Sequence, residues 1–164
     1  MRVLKVDDWP VWRELRLAAL ADAPSAFGSR LADWQGDGDR PERWRGRLAL
    51  PGSYNVVAVL DGEPVGMASG VPTDVAGQAE LISMWVAPAG RGRGVGDRLV
   101  DAITQWAVGI GATELRLGVV EDNAPAIGLY RRAGFRPTGE IVGVMPDGVR
   151  REVMMIRDLP GPGD

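Results

Sequence analysis

The sequence predicts a mixed α/β fold in which helices cover both faces of one sheet. Segments with the period of an amphipathic helix alternate with β-rich segments along the whole chain. Neither an obvious linker nor an internal repeat interrupts this alternation. The length of 164 residues fits one compact domain, so we expect a single domain over 1–164 with a frayed tail over 160–164.

The first third of the chain is predicted to be mainly helical. Apolar side chains recur at helical spacing over 9–20. The charged side chains of this helix are expected to face away from its apolar side, and they are Arg13, Glu14 and Arg16. The segment 36–41 is rich in Gly, Asp and Pro, which predicts a turn before a short second helix.

A β-hairpin and a central strand are predicted in the middle of the chain. Two Val-rich segments, 54–60 and 63–71, flank Asp61-Gly62, which is the strongest two-residue signal for a hairpin turn. The next strand, 79–86, carries apolar residues at both alternating positions. We therefore expect it to be buried on both faces.

Two helices and three strands are predicted in the second half. Gly109 or Gly111 is expected to end the first of these helices, as a glycine commonly does. Asn123 followed by Ala-Pro is expected to open the second helix. The strands are predicted at 113–120, 135–144 and 151–159. The last two of these strands are expected to pair antiparallel.

Two residue types are missing, because the chain contains no His and no Cys. Their absence excludes zinc sites built on imidazole or thiolate, Ser-His-Asp triads and Cys nucleophiles. The net charge of −3 argues against a general nucleic-acid binder. No segment approaches the roughly 18 apolar residues that would suggest a membrane span. We therefore expect a cytoplasmic protein with neither nucleic acid nor a membrane as its partner.

A loop rich in Gly and Arg, residues 86–97, carries the strongest chemical signal. It joins the predicted central strand to the N-terminus of a helix. Its glycines expose successive backbone N–H groups, the helix dipole adds partial positive charge, and Arg91 and Arg93 add two full charges. These features predict a site for an anion such as a pyrophosphate. A surface turn without function is the alternative.

Two other phosphate-binding motifs do not fit this loop. The dinucleotide fingerprint requires glycines at positions i, i+2 and i+5, and no start within the loop satisfies all three. The P-loop requires a Lys after its last glycine, whereas the chain's one Lys is Lys5.

Two signatures in this region resemble those of the GNAT superfamily of acyl-CoA-dependent N-acyltransferases. Residues 91–96, Arg-Gly-Arg-Gly-Val-Gly, match the family's Q/R-x-x-G-x-G/A loop. Residues 123–135 are similar to its second signature, N-x-x-A-x-x-L-Y-x-x-x-G-F. The two signatures stand in the family's order and spacing, and the close match covers roughly residues 80–136.

The resemblance implies a GNAT-type fold, with a mixed, mostly antiparallel central sheet whose two middle strands splay apart. It also implies that acetyl-CoA, or another short acyl-CoA, is the acyl donor. No metal is expected. The donor would pair with backbone groups of the strand that ends at Val86, and its pyrophosphate would lie on the glycine loop. The implied cofactor-binding residues are Met84, Trp85, Val86, Arg91, Gly92, Arg93, Gly94, Val95, Gly96 and Asn123. A plain helix cap is a second, compatible role for Asn123.

Two side chains are candidates for the proton steps of acetyl transfer to a primary amine. The resemblance implies that Tyr130 donates a proton to the leaving thiolate, and packing in an apolar helical stripe is its alternative role. Glu80 is the candidate base, because it lies eleven residues before Arg91, as the glutamate of the histone-acetylating branch does. A solvated strand-end carboxylate is the alternative. Another branch of the family carries its glutamate on the next strand, where this chain has Gly118. The remaining alternatives for the general base are Glu121 and deprotonation through water.

The acceptor is defined only as a class, a small-molecule or peptide amine. An acidic group between the first two helices either attracts a cationic amine or forms a solvated loop, and it comprises Asp33, Asp37, Asp39 and Glu42. Family members often pair through their C-terminal strands, so a homodimer is among the expected assemblies. The alternative functions are a non-catalytic acyl-CoA-binding regulatory module and a nucleotide-phosphate binder without a role for CoA.

Overall fold

One seven-stranded sheet organises the computed structural model, which describes residues 1–27 and 30–161. Its strands run in the order β1-β2-β3-β4-β5-β7-β6, and all neighbours pair antiparallel except β4 and β5, which are parallel. The strands are β1 Arg2–Val3, β2 Tyr54–Leu60, β3 Glu63–Pro72, β4 Gln78–Val86, β5 Glu114–Val120, β6 Arg136–Val144 and β7 Arg151–Asp158. Within the described residues, the α-helices are α1 Trp9–Asp22, α2 Pro41–Leu48, α3 Val95–Gly109 and α4 Ala124–Arg132. The predicted mixed α/β class is confirmed.

Two apolar clusters lie on opposite faces of this sheet. One joins α3 and α4 to the sheet and includes the fully buried Leu99 and Ile103. The other joins α1 and α2 to the sheet through Trp12 and Trp44, which have no exposed surface. Full burial of one large apolar side chain such as Leu99 stabilises the fold by roughly 1.5–3 kcal/mol. Both pairs of helices are therefore held firmly against the strands. Alternate residues of the central strands consequently point into two different compartments.

Asp39 connects the two helices of the α1/α2 face. Its carboxylate accepts hydrogen bonds from Arg13 Nε at 2.8 Å and from Trp44 Nε1 at 2.8 Å. The buried indole of Trp44 needs such a partner, because an unpaired buried N–H is costly. Asp39 therefore has a structural role, and it is not free to attract an acceptor amine, which was one of the two options for the acidic group.

Asp39 is expected to make the protein less stable in acid. Hydrogen bonds from Arg13 and Trp44 lower its pKa from 3.8 to about 2. Since the folded state holds this proton less tightly, the stabilisation is complete above about pH 4 and is lost as the pH falls toward about 2. Thermal unfolding of the wild type and Asp39→Asn should differ most near pH 6, and the difference should shrink below pH ~4. A difference that does not change with pH would contradict this role.

Most predicted elements are present, and two differences have clear physical reasons. Strand β1 was not predicted, because two residues are too few to show alternation. The prediction that the segment 79–86 is buried on both faces is wrong for residues 82–84, which are half-buried because they line a cleft. The predicted fraying of 160–164 falls mainly on residues 162–164, which lie outside the described residues.

Candidate active site

The cleft at the centre of the sheet forms because β4 and β5 separate. These strands pair at only three positions, from Gln78 opposite Glu114 to Glu80 opposite Arg116. Beyond that point β4 pairs only with β3, and β5 pairs only with β7. The space between them is a cleft of about 680 Å³. The structure thus contains the splayed central strands that the resemblance implied.

A β-bulge in β4 accompanies this separation. Met67 pairs with Trp85 and Ser69 pairs with Ile82, so two residues of β4 stand opposite one residue of β3. Within the bulge, Ser83 has a φ of 53°, which is unusual for a residue other than glycine. Its hydroxyl accepts a hydrogen bond from Arg47 Nη2 at 3.0 Å, which helps to hold this conformation. Bulges bend a strand and re-aim its side chains, and here the bend lies where β4 borders the cleft.

The glycine-rich loop delivers the chain from β4 to the N-terminus of α3. Gly92 and Gly94 have φ values of 73° and 75°, and Gly94 is the N-cap residue of α3. No atom lies within 4 Å of the place where a Cβ would stand at either glycine, so a ligand can approach the backbone there. The side chain of Val95 is buried in the core. Its backbone N–H, at the first position of α3, is therefore the group that can bind an anion.

Arg91 ties this loop to the end of α1. Its guanidinium forms an ion pair with the Asp22 carboxylate, and its Nε donates to the carbonyl oxygen of Val86 at 3.1 Å. Trp85 Nε1 donates to the same carboxylate at 3.1 Å. The hydrogen bond from Trp85 has the largest effect on the pKa of Asp22, and the bond from Arg91 has the next largest. Both lower this pKa. Arg93, the other arginine of the predicted pair, is exposed to solvent.

Helix α4 supplies the opposite wall of the cleft. Asn123 caps the helix, since its side-chain oxygen accepts a hydrogen bond from the backbone N–H of Ala126 at 3.3 Å, and it also lines the cleft. Tyr130 lines the cleft although only 6% of its surface is exposed. Its ring packs edge-on against Phe135, with 6.0 Å between the ring centroids. Burial raises the pKa of Tyr130, so its phenol is protonated at neutral pH.

Two carboxylates line the cleft on the face that α1 and α2 cover. Glu80 accepts a hydrogen bond from Arg116 Nε at 3.2 Å. Glu152 was not identified from the sequence, and its side chain lies over Gly118, where a Cβ would stand only 2.0 Å from Glu152 Oε1. Burial, and to a smaller extent the charge of Glu80, raises the pKa of Glu152. The place of the glutamate that β5 lacks is therefore filled by a carboxylate from β7.

One arginine differs from its predicted orientation. Arg16 was expected to face away from the apolar side of α1, but it is half-buried and lines the cleft beside Phe27. The sequence offered no signal for this position, because the cleft that Arg16 lines forms only in the folded chain.

The predicted site residues fall into two groups. Those that line the cleft are Glu80, Met84, Trp85, Val86, Arg91, Asn123 and Tyr130. The residues Gly92, Arg93, Gly94, Val95 and Gly96 form the loop and the first turn of α3 instead. Glu121 forms an ion pair with Arg151 at 2.9 Å and is not among the residues that line the cleft.

The chain belongs to the acetyltransferase (GNAT) family, whose family model matches residues 12–135. This family uses acetyl-CoA. Among the described residues there is no group of three or more acidic, His or Cys side chains that could hold a metal ion. In residues 1–27 and 30–161 there is also no helix with the length and apolar character required to cross a bilayer.

The chain is similar to two curated acetyltransferases over part of their length. It is 31% identical to the N-acetyltransferase YobR of Bacillus subtilis over 108 residues, which is 63% of this chain and 43% of that protein. It is 45% identical to the mycothiol acetyltransferase of Clavibacter michiganensis over 60 residues, which is 37% of this chain and 20% of that protein. The matches therefore span less than half the length of either relative.

Solved structures extend the similarity to nearly the whole chain. A GCN5-related N-acetyltransferase from Kribbella flavida is 28% identical, with a TM-score of 0.77 over 96% of each chain. Nourseothricin acetyltransferase is 32% identical, with a TM-score of 0.63 over 67% of each chain. An acetyltransferase from Salmonella typhimurium, solved with acetyl-CoA, shares the fold at 24% identity, with a TM-score of 0.78 over 99% of this chain and 95% of that one.

Proposed function

We propose that this chain acts as a single domain over 1–164 and transfers an acetyl group from acetyl-CoA directly to a primary amine. The cleft between β4 and β5 supports this proposal, because it brings a phenol and two carboxylates together from opposite faces of the sheet. Tyr130 belongs to the α3/α4 cluster, whereas Glu80 and Glu152 point toward the α1/α2 face. A donor and an acceptor that enter from opposite sides can therefore meet inside the sheet.

The cofactor fits the residues that surround the glycine-rich loop. Acetyl-CoA supplies the activated acetyl thioester when it is bound. The edge of β4 over 84–86 that faces away from β3 has no neighbouring strand, and it binds the pantetheine arm as an added strand, while Asn123 contacts the arm from α4. The N–H groups of Gly92 to Gly96 bind the pyrophosphate at the positive end of α3. Arg93, which is exposed, and Arg91, which is fixed beside Asp22, add charge-assisted hydrogen bonds.

Tyr130 donates the proton that the leaving thiolate needs. The neutral amine nitrogen would form its bond to the acetyl carbon as the carbon–sulfur bond breaks, and the hydroxyl hydrogen of Tyr130 would pass to the sulfur. The surplus proton on the new amide nitrogen would then return to the tyrosinate, directly or through water, which restores the phenol. Because burial raises its pKa, the phenol is fully protonated before this step. With no Cys in the chain, an acyl-cysteine intermediate is excluded, so the direct route is favoured.

The Glu80/Glu152 pair removes the proton from the acceptor ammonium. Two carboxylates in one partly desolvated cleft attract a cationic amine and hold its proton more tightly than a solvated carboxylate does. Glu80 is fixed by Arg116, so it orients the amine. Glu152 has the raised pKa and is the better proton acceptor of the two. Glu80 was the base expected from the sequence, and here it shares that task with Glu152.

Replacing Glu152 with Gln is expected to lower kcat/KM by about 10²- to 10⁴-fold at neutral pH, because the general base is lost. Glu140→Gln is the matched control, since Glu140 is exposed on the neighbouring strand β6. Steady-state rates of thiol release measure both variants. Equal activity of Glu152→Gln and the control would leave Glu80 as the base.

The pH profile separates the roles of the two carboxylates. In the wild type, kcat/KM should fall in acid as Glu152 becomes protonated, with an apparent pKa above its ordinary 4.5. Glu80→Gln removes a neighbouring negative charge, so the acid limb should move to lower pH. The other charged groups near the pair remain in this variant: Arg16 and Arg91 line the cleft, and Arg116 lies beside position 80. An acid limb that moves to higher pH would contradict the coupling.

The activity itself is tested by mixing the protein with acetyl-CoA and a panel of primary amines. Release of free CoA thiol that depends on both substrates is expected, with one acetylated amine formed for each thiol. Binding of acetyl-CoA without thiol release for any amine would instead support a non-catalytic acyl-CoA-binding module.

A further inference from the structure

Arg16 carries a half-buried charge that forms no ion pair with any residue in 1–27 and 30–161. It reaches the cleft from α1, and its guanidinium lies over the Phe27 ring, 4.7 Å from the ring centroid. In the part of the chain that the structure describes, its Nη1 atom is buried and has no hydrogen-bond partner. Burial lowers the pKa of Arg16 to about 10, so it still carries its charge at neutral pH. A buried donor left unpaired is costly, and a ligand group can remove that cost.

Arg47 places a second buried charge next to the first. Its guanidinium donates to Asn55 Oδ1 at 3.2 Å, to Ser69 Oγ at 3.0 Å and to Ser83 Oγ at 3.0 Å. All three acceptors are neutral, so they satisfy its hydrogen bonds without balancing its charge. Burial, and to a smaller extent the charge of Arg16, lowers the pKa of Arg47 to about 10. The two guanidiniums together make this region of the molecule positive.

Several other arginines of the chain are neutralised by a carboxylate. Such pairs include Arg13 with Asp39, Arg116 with Glu80, and Arg151 with Glu121. Within residues 1–27 and 30–161, neither Arg16 nor Arg47 forms an ion pair. Two largely buried guanidiniums are thus left without a carboxylate among the described residues, and one of them, that of Arg16, lines the cleft.

The same cleft holds the opposite charge a short way along the sheet. Glu80 and Glu152 point toward the face that α1 covers, and Arg16 approaches from α1 itself. An acceptor in this cleft therefore meets two carboxylates and one guanidinium. We propose that the acceptor is a small amine that also carries a carboxylate, as an amino acid does, and that Arg16 binds this carboxylate.

The two ends of such an acceptor would be recognised by different groups. Arg16 donates to the carboxylate from the part of its guanidinium that lines the cleft, and Arg47 adds attraction while its own hydrogen bonds hold the Ser83 bulge in place. The amine then lies at the Glu80/Glu152 pair, where its proton is removed. This inference rests on the proposed acetyltransferase function and adds the substrate class to it.

The test compares matched acceptors that differ only in the acidic group. The probes are free L-amino acids, their α-carboxamides, and amines without any acidic group such as putrescine, each with acetyl-CoA. The free amino acids that are turned over should have kcat/KM values about 10- to 100-fold above those of their carboxamides. Carboxamides or putrescine turned over equally well or better would overturn the substrate class while leaving the acetyltransferase function intact. No thiol release with any amine would overturn the function itself.

Variants at position 16 assign the effect to this side chain. Arg16→Met should abolish the preference for the carboxylate by raising KM for the amino acid, with KM for acetyl-CoA unchanged, and Arg16→Lys should restore part of it. Arg40→Gln, at an exposed arginine before α2, is the control for loss of one positive charge. A rise in KM for acetyl-CoA instead would place Arg16 in the cofactor site and overturn the inference.

A binding measurement gives an answer that does not depend on turnover. The preferred amino acid should raise the Tm of the wild type and of Arg40→Gln, but not that of Arg16→Met. Because Arg16→Met removes an unpaired buried charge, its own Tm without ligand should equal or exceed that of the wild type. An equal shift of Tm in all three proteins would overturn the role of Arg16.

Discussion

Replacing Tyr130 with Phe is expected to lower kcat by about 10²- to 10⁴-fold and to leave the Kd for acetyl-CoA nearly unchanged. The substitution removes only the hydroxyl group, so the packing of the ring against Phe135 is retained. The leaving thiolate then has no acid beside it in a cleft that excludes much of the solvent. Steady-state kinetics give kcat, and calorimetry gives the Kd for acetyl-CoA.

Tyr54→Phe is the matched control, because Tyr54 is the chain's other tyrosine. It lies on β2, where its ring stacks on Trp106 with 5.9 Å between centroids, and it is not among the residues that line the cleft. This variant should keep the wild-type kcat. A small, equal loss in both variants would show that Tyr130 is a packing residue, which was the alternative role of its helical stripe.

Gly94→Val is expected to weaken acetyl-CoA binding by about 10- to 100-fold. Gly94 has a φ of 75°, and a β-branched residue is strained there by roughly 1–3 kcal/mol. The loop can relieve this strain only by turning the peptide groups at the start of α3 away from the orientation that an anion needs. Titration of the protein with acetyl-CoA measures the change in Kd.

Gly109→Val tests whether this effect is specific to the loop. Gly109 ends the same helix, is exposed, and has open space where a Cβ would stand, as Gly94 has. It does not have a positive φ, so valine fits there with only the small cost of a β-branched residue in a helix. Wild-type affinity for acetyl-CoA is expected. If both variants bind equally well, the loop is not the pyrophosphate site.

The two signatures allowed the centre of the fold to be predicted in detail. Gly94 and Asn123 are residues whose types follow from backbone geometry, since one needs a positive φ and the other caps a helix. Such local requirements are visible in the sequence. The separation of β4 from β5 followed from the resemblance and not from periodicity, because both strands read as ordinary apolar segments.

Glu152 and Arg16 could not be predicted because their positions depend on distant parts of the chain. Glu152 reaches the cleft only because β7 inserts beside β5, with Val120 opposite Glu152, and because Gly118 leaves the space empty. Arg16 looks like a solvent-facing residue on a helical wheel, and it is half-buried because the cleft lies beneath α1. Neither requirement leaves a local pattern in the sequence.

The short contact between β4 and β5 links the architecture of the sheet to its substrate. Because β4 and β5 pair at only three positions, the sheet is divided into two parts. One part contains β1 to β4, and the other contains β5 to β7. An acyl donor bound as an added strand would form hydrogen bonds with the backbone groups of β4 that have no partner in β5. Under the proposed function, mass action would therefore raise the free energy of unfolding as the concentration of acetyl-CoA rises.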